Sequence, residues 1–320
     1  TMPLLPNSSY KRPKWLFNGH LETVYPALLR EVVFKSPRRE RIQTHDGDFL
    51  DLDWYQEKNP RLAIISHGLE GNSSRPYMLG MARKLYSEGF DVLTWNYRGC
   101  SEELNQKAIF YHSGATYDLM TVVTHAQTIY QEISLIGFSL GGNLTLKFLG
   151  EVQTSLSKIK KAVAISVPLD LSGSCEKIST GQNLMYSKRF LKTLKEKVAR
   201  KSALFPDELP LEKLQKVKTL RDFDDVITGP LHGFADAAEY YQVNSSLQFL
   251  DKIVVPTLIL NAQNDPFLSQ SCFPETLAKR LDGVYFEFPK HGGHVGFATS
   301  SHEKTYYSEA RAVEFITHDL

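Results

Sequence analysis

The sequence predicts an α/β fold in which a mostly parallel central sheet carries helices on both faces and an inserted helical cap. Three observations predict it. From Arg61 onward, short apolar runs alternate with amphipathic stretches of helical period. The apolar runs lack the polar alternation of a half-solvated strand, so they read as strands buried on both faces, the mark of a parallel sheet. The rhythm breaks between Pro168 and Gly233 and then resumes, which reads as an insertion into one core. A length of 320 residues suits this reading, because a single α/β domain with an insertion reaches that size.

In chain order, residues 1–60 form an N-terminal arm poor in helix signals. Within it, 31–35 and 49–55 look like strands, and His45-Asp46-Gly47-Asp48 looks like a turn, giving an antiparallel hairpin at a sheet edge. RLAIISH (61–67) is the first buried strand, 76–89 a helix and FDVLTWNYRG (90–99) the next strand. A helix over 116–130, the strand EISLIGF (132–138), a helix over 141–149 and the strand KKAVAIS (160–166) follow. The insertion contains Lys-rich amphipathic helices around 187–202 and 211–219, separated by FPDELP and without a convincing strand. A helix at 235–241, the strand KIVVPTLILNA (252–262), a helix at 273–281, the strand GVYFEFP (283–289) and a last helix from Glu303 complete the pattern. The expected division is therefore a core of 1–167 and 234–320 with a helical cap of 168–233.

Composition excludes several classes. Hydrophobic residues at 42% and charged residues at 23% are those of a globular chain. A net charge of +1 gives no field that would draw the chain to nucleic acid or to an anionic membrane. Three widely spaced cysteines, Cys100, Cys175 and Cys272, form neither a disulfide framework nor a CxxC metal site, and imply a reducing compartment. No signal-peptide core and no apolar run of about 18 residues occurs, so the expectation is a cytoplasmic protein without an integral membrane segment. Neither a P-loop nor a strand followed by G-x-G-x-x-G is present, and the histidines lack metal-ligand spacing, so no cofactor and no metal is expected.

The chemistry gathers at the carboxyl ends of the strands, where open parallel sheets bind ligands. GFSLGGN (137–143) follows one strand and opens a helix, the context in which G-x-S-x-G forms a nucleophile elbow around Ser139. A serine hydroxyl needs a base, and the base needs an orienting carboxylate. Asp265, in NAQNDPF after the strand ending near 262, and His294, in KHGGHVGF after the strand ending near 289, supply them in the order Ser, Asp, His. HGLEG (67–71) follows the first buried strand and is the expected oxyanion loop, with the amides of Leu69 and Leu140 as donors. His67 is expected to shape this turn. His291 is the weaker alternative base, His112 reads as turn-stabilising and Cys100 as an inert thiol. The lysines of 188–201 read as a solvated face, and Leu184, Met185, Tyr186 and Phe190 as candidates for an acyl pocket.

Over nearly its whole length the sequence resembles the YheT-like branch of the α/β-hydrolase superfamily. FNGHLETVYPALLR (17–30), HGLEGNSSRPY (67–77), NYRGCSEELN (96–105), YHSGATYDL (111–119), GFSLGGN and GGHVGF (292–297) carry the resemblance. It departs from the family pattern at Glu22, where glutamine is more usual, and at Ala115, where glutamate is. The resemblance implies the α/β-hydrolase fold and a serine hydrolase whose triad is Ser139, Asp265 and His294. It further implies small-molecule ester substrates, short- to medium-chain acyl esters or acylglycerols. Alcohol acyl transfer through the same acyl-enzyme, or a non-catalytic binding protein on a hydrolase scaffold, stays open. The N-terminal motif is expected to pack on the core.

Overall fold

The computed structural model describes residues 4, 5, 7–153, 156–300 and 305–318. Among the described residues nine strands form one sheet: β1 (Leu4–Leu5), β2 (Arg38–Gln43), β3 (Phe49–Tyr55), β4 (Arg61–Ser66), β5 (Asp91–Asn96), β6 (Glu132–Phe138), β7 (Ile159–Ile165), β8 (Thr257–Leu260) and β9 (Val284–Glu287). Their spatial order is β1-β9-β8-β7-β6-β4-β5-β3-β2. Pairings from β1 through β5 are parallel, whereas β5–β3 and β3–β2 are antiparallel.

The central strands are apolar on both faces because helices cover both. One layer contains α2 (Pro76–Ser87) and α12 (Tyr307–Thr317), whose Met78, Met81, Leu85 and Phe315 pack with Ile65 and Ile136. The other contains α3 (Thr116–Gln127) and α4 (Leu140–Val152), whose Leu119, Val122, Leu144 and Phe148 pack with Ile64 and Leu135. Each such fully buried side chain contributes about 1.5–3 kcal/mol of transfer free energy. From β4 the chain passes outward to β5 and then returns to β6 on the other side of β4. The strand order thus reverses between β4 and β6, and the crevice at their carboxyl ends is where such a sheet takes a ligand.

Between β7 and β8, among the described residues, the chain is entirely helical and irregular. It carries α5 (Leu171–Ile178), α6 (Leu184–Ser202), α7 (Leu211–Gln215), α8 (Leu220–Phe223), α9 (Gly229–Leu231) and α10 (Ala237–Asn244), followed by a 3₁₀ segment at Ser246–Lys252. A π-helical turn, Asp224–Thr228, joins α8 to α9. These helices share their own apolar cluster, which includes Leu191, Val198, Leu214 and Phe223 and meets the core through Phe110 and Phe267.

The structure corrects the sequence reading in five places. The partner of β3 in the hairpin is 38–43, not 31–35. This outer strand, RRERIQ, has no apolar alternation because cross-strand charge holds it: Arg39 lies opposite Asp53 and Arg41 opposite Asp51, each with Nε–Oδ1 at 2.8 Å. Residues 31–35 instead run irregularly, with Phe34 against Tyr55. The arm contains a helix, α1 (Gly19–Leu29), whose first turn is capped by Asn18 and whose pattern Pro26 obscures. The strand expected over 252–262 begins only at Thr257, after Pro256, which has no N–H to give a ladder. The helices expected over 211–219 and 273–281 shrink to α7 (Leu211–Gln215) and α11 (Glu275–Ala278). The expected helix start at Glu303 lies outside the described residues.

Candidate active site

Ser139 sits between β6 and α4 with φ 54° and ψ −117°, a conformation rare for a residue bearing a side chain. The neighbouring backbone forces it. A Cβ on Gly137 would stand 2.3 Å from the Gly141 carbonyl oxygen, and one on Gly141 would stand 2.5 Å from the carbonyl oxygens of Ser66 and His67. Glycines two residues before and after the serine therefore let β6, α4 and the end of β4 meet, and the turn lifts Ser139 Oγ above the sheet.

The loops after β8 and β9 bring the other two predicted residues to it. Ser139 Oγ is 2.9 Å from His294 Nε2, and His294 Nδ1 is 2.8 Å from Asp265 Oδ2. With Nδ1 carrying the proton toward the carboxylate, Nε2 is free to accept from the serine hydroxyl. The imidazole is stacked at 4.0 Å and 28° on the ring of Phe267, which limits its rotation. Burial pushes the Asp265 carboxyl up, against His294 and the amides of Phe267 and Leu268, which favour its charged form.

Gly68, Leu69 and Leu140 border the same cavity as Ser139. Among the described residues, the amides of Leu69 and Leu140 donate to no other protein group, whereas Gly68 N–H donates to Tyr77 Oη and Gly71 N–H to the Gly68 carbonyl. Two free donors beside a nucleophile are the elements of an oxyanion hole. The helix that Leu140 opens adds the positive end of its dipole. His67 is wholly buried in this loop. Its Nδ1–H donates to the Gly68 carbonyl at 2.8 Å and its Nε2 accepts from Tyr97 N–H at 3.2 Å, so the ring shapes the turn as a neutral group. Burial drives its pKa down to about 3.

The remaining candidates fall away from the chemistry. His291 faces Glu22 at 3.9 Å rather than Ser139. His112 accepts from Gly114 N–H in its own turn. Burial pushes the Cys100 thiol up to about 11, which leaves it protonated. The α6 lysines are not all solvated, contrary to expectation. Lys197 Nζ reaches Glu70 Oε1, in the 67–71 loop, at 2.6 Å, and the fully buried Lys201 donates to Asn105 Oδ1 at 2.8 Å and to backbone carbonyls of 107–109. Of the four residues expected around a pocket, Tyr186 and Phe190 line it, while Leu184 and Met185 face outward at 41% and 60% exposure.

Above Ser139 lies a cavity of about 390 Å³, walled by α1 on one side and by α5, α6 and α8 on another, with mostly apolar lining. Among the described residues no group of three or more His, Cys, Asp or Glu is placed to hold a metal ion, and no helix is long and apolar enough to cross a membrane.

Sequence reasoning missed a second layer of side chains. Glu22 and Thr23 on α1 contact the His294 loop directly: Glu22 accepts from Gly292 N–H, and Thr23 Oγ1 accepts from His294 N–H at 2.9 Å. His20 Nδ1 lies 3.0 Å from Tyr186 Oη, joining α1 to α6. The available signal was the density of polar residues in NGHLET, a segment that packing alone would not require to be polar.

Comparison with known proteins agrees with this fold. The family described as "alpha/beta hydrolase fold" matches residues 64–301. The chain is 35% identical over 318 residues to "Putative esterase YheT" of Escherichia coli (strain K12), covering 94% of this chain and 90% of that one. It is 28% identical to "Phospholipase ABHD3" of Homo sapiens over 90% of this chain and 73% of the relative. With "Monoacylglycerol lipase ABHD2" of Mus musculus it shares 26% identity over 93% and 76%. Among solved structures, the Pyrococcus furiosus esterase Pf2001 matches with a TM-score of 0.59 at 18% identity, covering 90% of this chain and 97% of that one, a likeness of fold. The chain belongs to the α/β-hydrolase family, in the branch that contains the Escherichia coli protein YheT.

Proposed function

We propose that the chain is a serine hydrolase of carboxylic esters, with short- to medium-chain acyl esters or acylglycerols as substrates. The observation that carries this reading is the unbroken line Ser139–His294–Asp265 at the floor of an apolar cavity. Relatives named as an esterase, a phospholipase and a monoacylglycerol lipase support ester cleavage as the reaction type.

The mechanism follows from the distances. Ser139 Oγ attacks the ester carbonyl carbon while its proton passes to His294 Nε2, and Asp265 holds Nδ1–H and stabilises the imidazolium. The carbonyl oxygen, now an anion, takes hydrogen bonds from the amides of Leu69 and Leu140. Collapse breaks the bond to the alcohol, which leaves with the proton from Nε2. Water then enters, gives its proton to the same nitrogen, attacks the acyl carbon and releases the acid and Ser139. Residues 168–233 act as a cap, and Tyr186 and Phe190 give the acyl chain an apolar wall.

Hydrolysis of p-nitrophenyl esters from acetate to palmitate, with wild type beside Ser139→Ala, tests this. Activity is expected to peak at one acyl length and to fall by about 10⁴-fold or more in the variant, as removal of a triad nucleophile does. Retention of most activity by Ser139→Ala overturns the assignment.

A further inference from the structure

The loop that carries His294 belongs to no helix or strand, and its backbone is unusual. Gly292, Gly293, Val295 and Phe297 all have positive φ, at 141°, 60°, 54° and 50°. For Val295 and Phe297 this conformation costs about 1–3 kcal/mol each and persists only where surrounding groups hold it. Four consecutive amides of the loop are held by side chains in place of a backbone ladder. Gly292 N–H donates to Glu22 Oε2, Gly293 N–H to Asn264 Oδ1 at 3.1 Å, His294 N–H to Thr23 Oγ1 at 2.9 Å and Val295 N–H to Ser166 Oγ at 2.8 Å.

Two of these four acceptors come from α1, and one of them, Glu22, also binds the loop that carries Asp265. Glu22, 1% exposed, takes Asn264 Nδ2–H on the oxygen that takes Gly292, at 3.1 Å, while its other oxygen faces Arg12 Nη1 at 3.3 Å. Thr23 Oγ1 donates to the Gly19 carbonyl at 2.6 Å, which points its lone pairs at His294. There is no slack: a Cβ on Gly19 would stand 2.1 Å from the Asn264 carbonyl oxygen, and one on Gly296 would stand 2.2 Å from that of Glu22.

We propose that Glu22 and Thr23 are positioning residues of the catalytic histidine: α1 clamps the Asp265 and His294 loops together and so sets the distance from Nε2 to Ser139. Glu22 lies off the cavity wall; Thr23 borders the cavity, with its hydroxyl taken up by His294 N–H and the Gly19 carbonyl. This rests on the reading of His294 as the base. Displacement of a reacting group by about 1 Å costs on the order of a hundredfold in rate, so loosening the clamp acts on kcat.

The test measures kcat, KM, the thermal midpoint and the downfield proton resonance of His294 Nδ1–H in Thr23→Val, Thr23→Ser, Glu22→Leu, Glu22→Gln and Ser139→Ala. Thr23→Val keeps the shape and removes the acceptor; kcat is expected to fall about 10- to 100-fold with KM within about twofold and the resonance broadened or shifted. Thr23→Ser restores the hydroxyl and is expected to return within about threefold of wild type. Glu22→Leu is expected to follow Thr23→Val, and Glu22→Gln, whose amide oxygen still accepts from Gly292 and Asn264, to keep most of the rate. Unchanged kcat in Thr23→Val and Glu22→Leu, beside an inactive Ser139→Ala, overturns the clamp and leaves the hydrolase reading standing. An active Ser139→Ala overturns the reading beneath it. A loss in Thr23→Val that Thr23→Ser fails to restore, or that only tracks a fallen midpoint, also overturns the clamp.

Discussion

His67 ties the 67–71 loop to pH. Both ring nitrogens are engaged, one as donor to Gly68 and one as acceptor from Tyr97, so a second proton would destroy a hydrogen bond in a site without water contact. Its folded pKa of about 3 lies below the ordinary value near 6.5, so the unfolded chain binds the extra proton over the interval between them. Stability from this group is therefore complete above about pH 6.5 and falls by about 1.4 kcal/mol per pH unit as acid is added, down to the folded value. Urea unfolding at pH 7, 6 and 5 is expected to show this slope, and His67→Gln to make it shallower by about one proton. Equal slopes would mean that another group carries the acid sensitivity. At this scale the sequence was legible in placement: Ser139, Asp265 and His294 each follow a strand, in the order this fold carries such residues, and come within hydrogen-bond reach of one another. It was opaque where role depends on direction. Lys188 and Lys201 lie on one helix and look alike in sequence, yet one is exposed and the other 0% exposed.

Elements were legible when they were buried. β4 to β7 announced themselves because both faces are apolar, and α2, α3 and α4 because one face is. β2 and α1 were not, because cross-strand arginine–aspartate pairs and contacts to loops distant in sequence hold them. The turn after β5 follows the same logic. Arg98, wholly buried, contacts Asp46 at 2.7 Å and Asp48 at 3.3 Å in the β2–β3 turn, and Asp118 at 2.7 Å at the start of α3. One guanidinium thus joins three segments, and the RGC stretch disclosed none of them. Arg98→Met is expected to lower the unfolding free energy by about 3–5 kcal/mol in a denaturant titration, because it strands Asp48 and Asp118 as buried charges. A change under about 1 kcal/mol would show that water or protonation replaces the arginine.

Across the whole molecule, the helical segment between β7 and β8 is fastened to the core by cations as well as by apolar packing. Lys197 meets Glu70 in the 67–71 loop, and Lys201 collects Asn105 and the carbonyls of 107–109. Burial lowers the pKa of Lys201 to about 8. Lys201→Met is expected to cost about 1–3 kcal/mol by leaving those acceptors unmet, whereas Lys188→Met on the exposed side of the same helix is expected to change stability by less than about 0.5 kcal/mol. Similar urea midpoints for the two variants would refute the fastening.

The sheet joins its first strand to its last, since β1 pairs with β9, and α1 grips the loops around Asp265 and His294. A ribosome delivers these partners more than 200 residues apart. While the intervening chain emerges, Glu22 and Thr23 have no loop to hold, so the site stays unassembled until their partners follow. Assembly of the site therefore waits for the segment around 284–296 to clear the exit tunnel, when two stretches far apart in the chain meet.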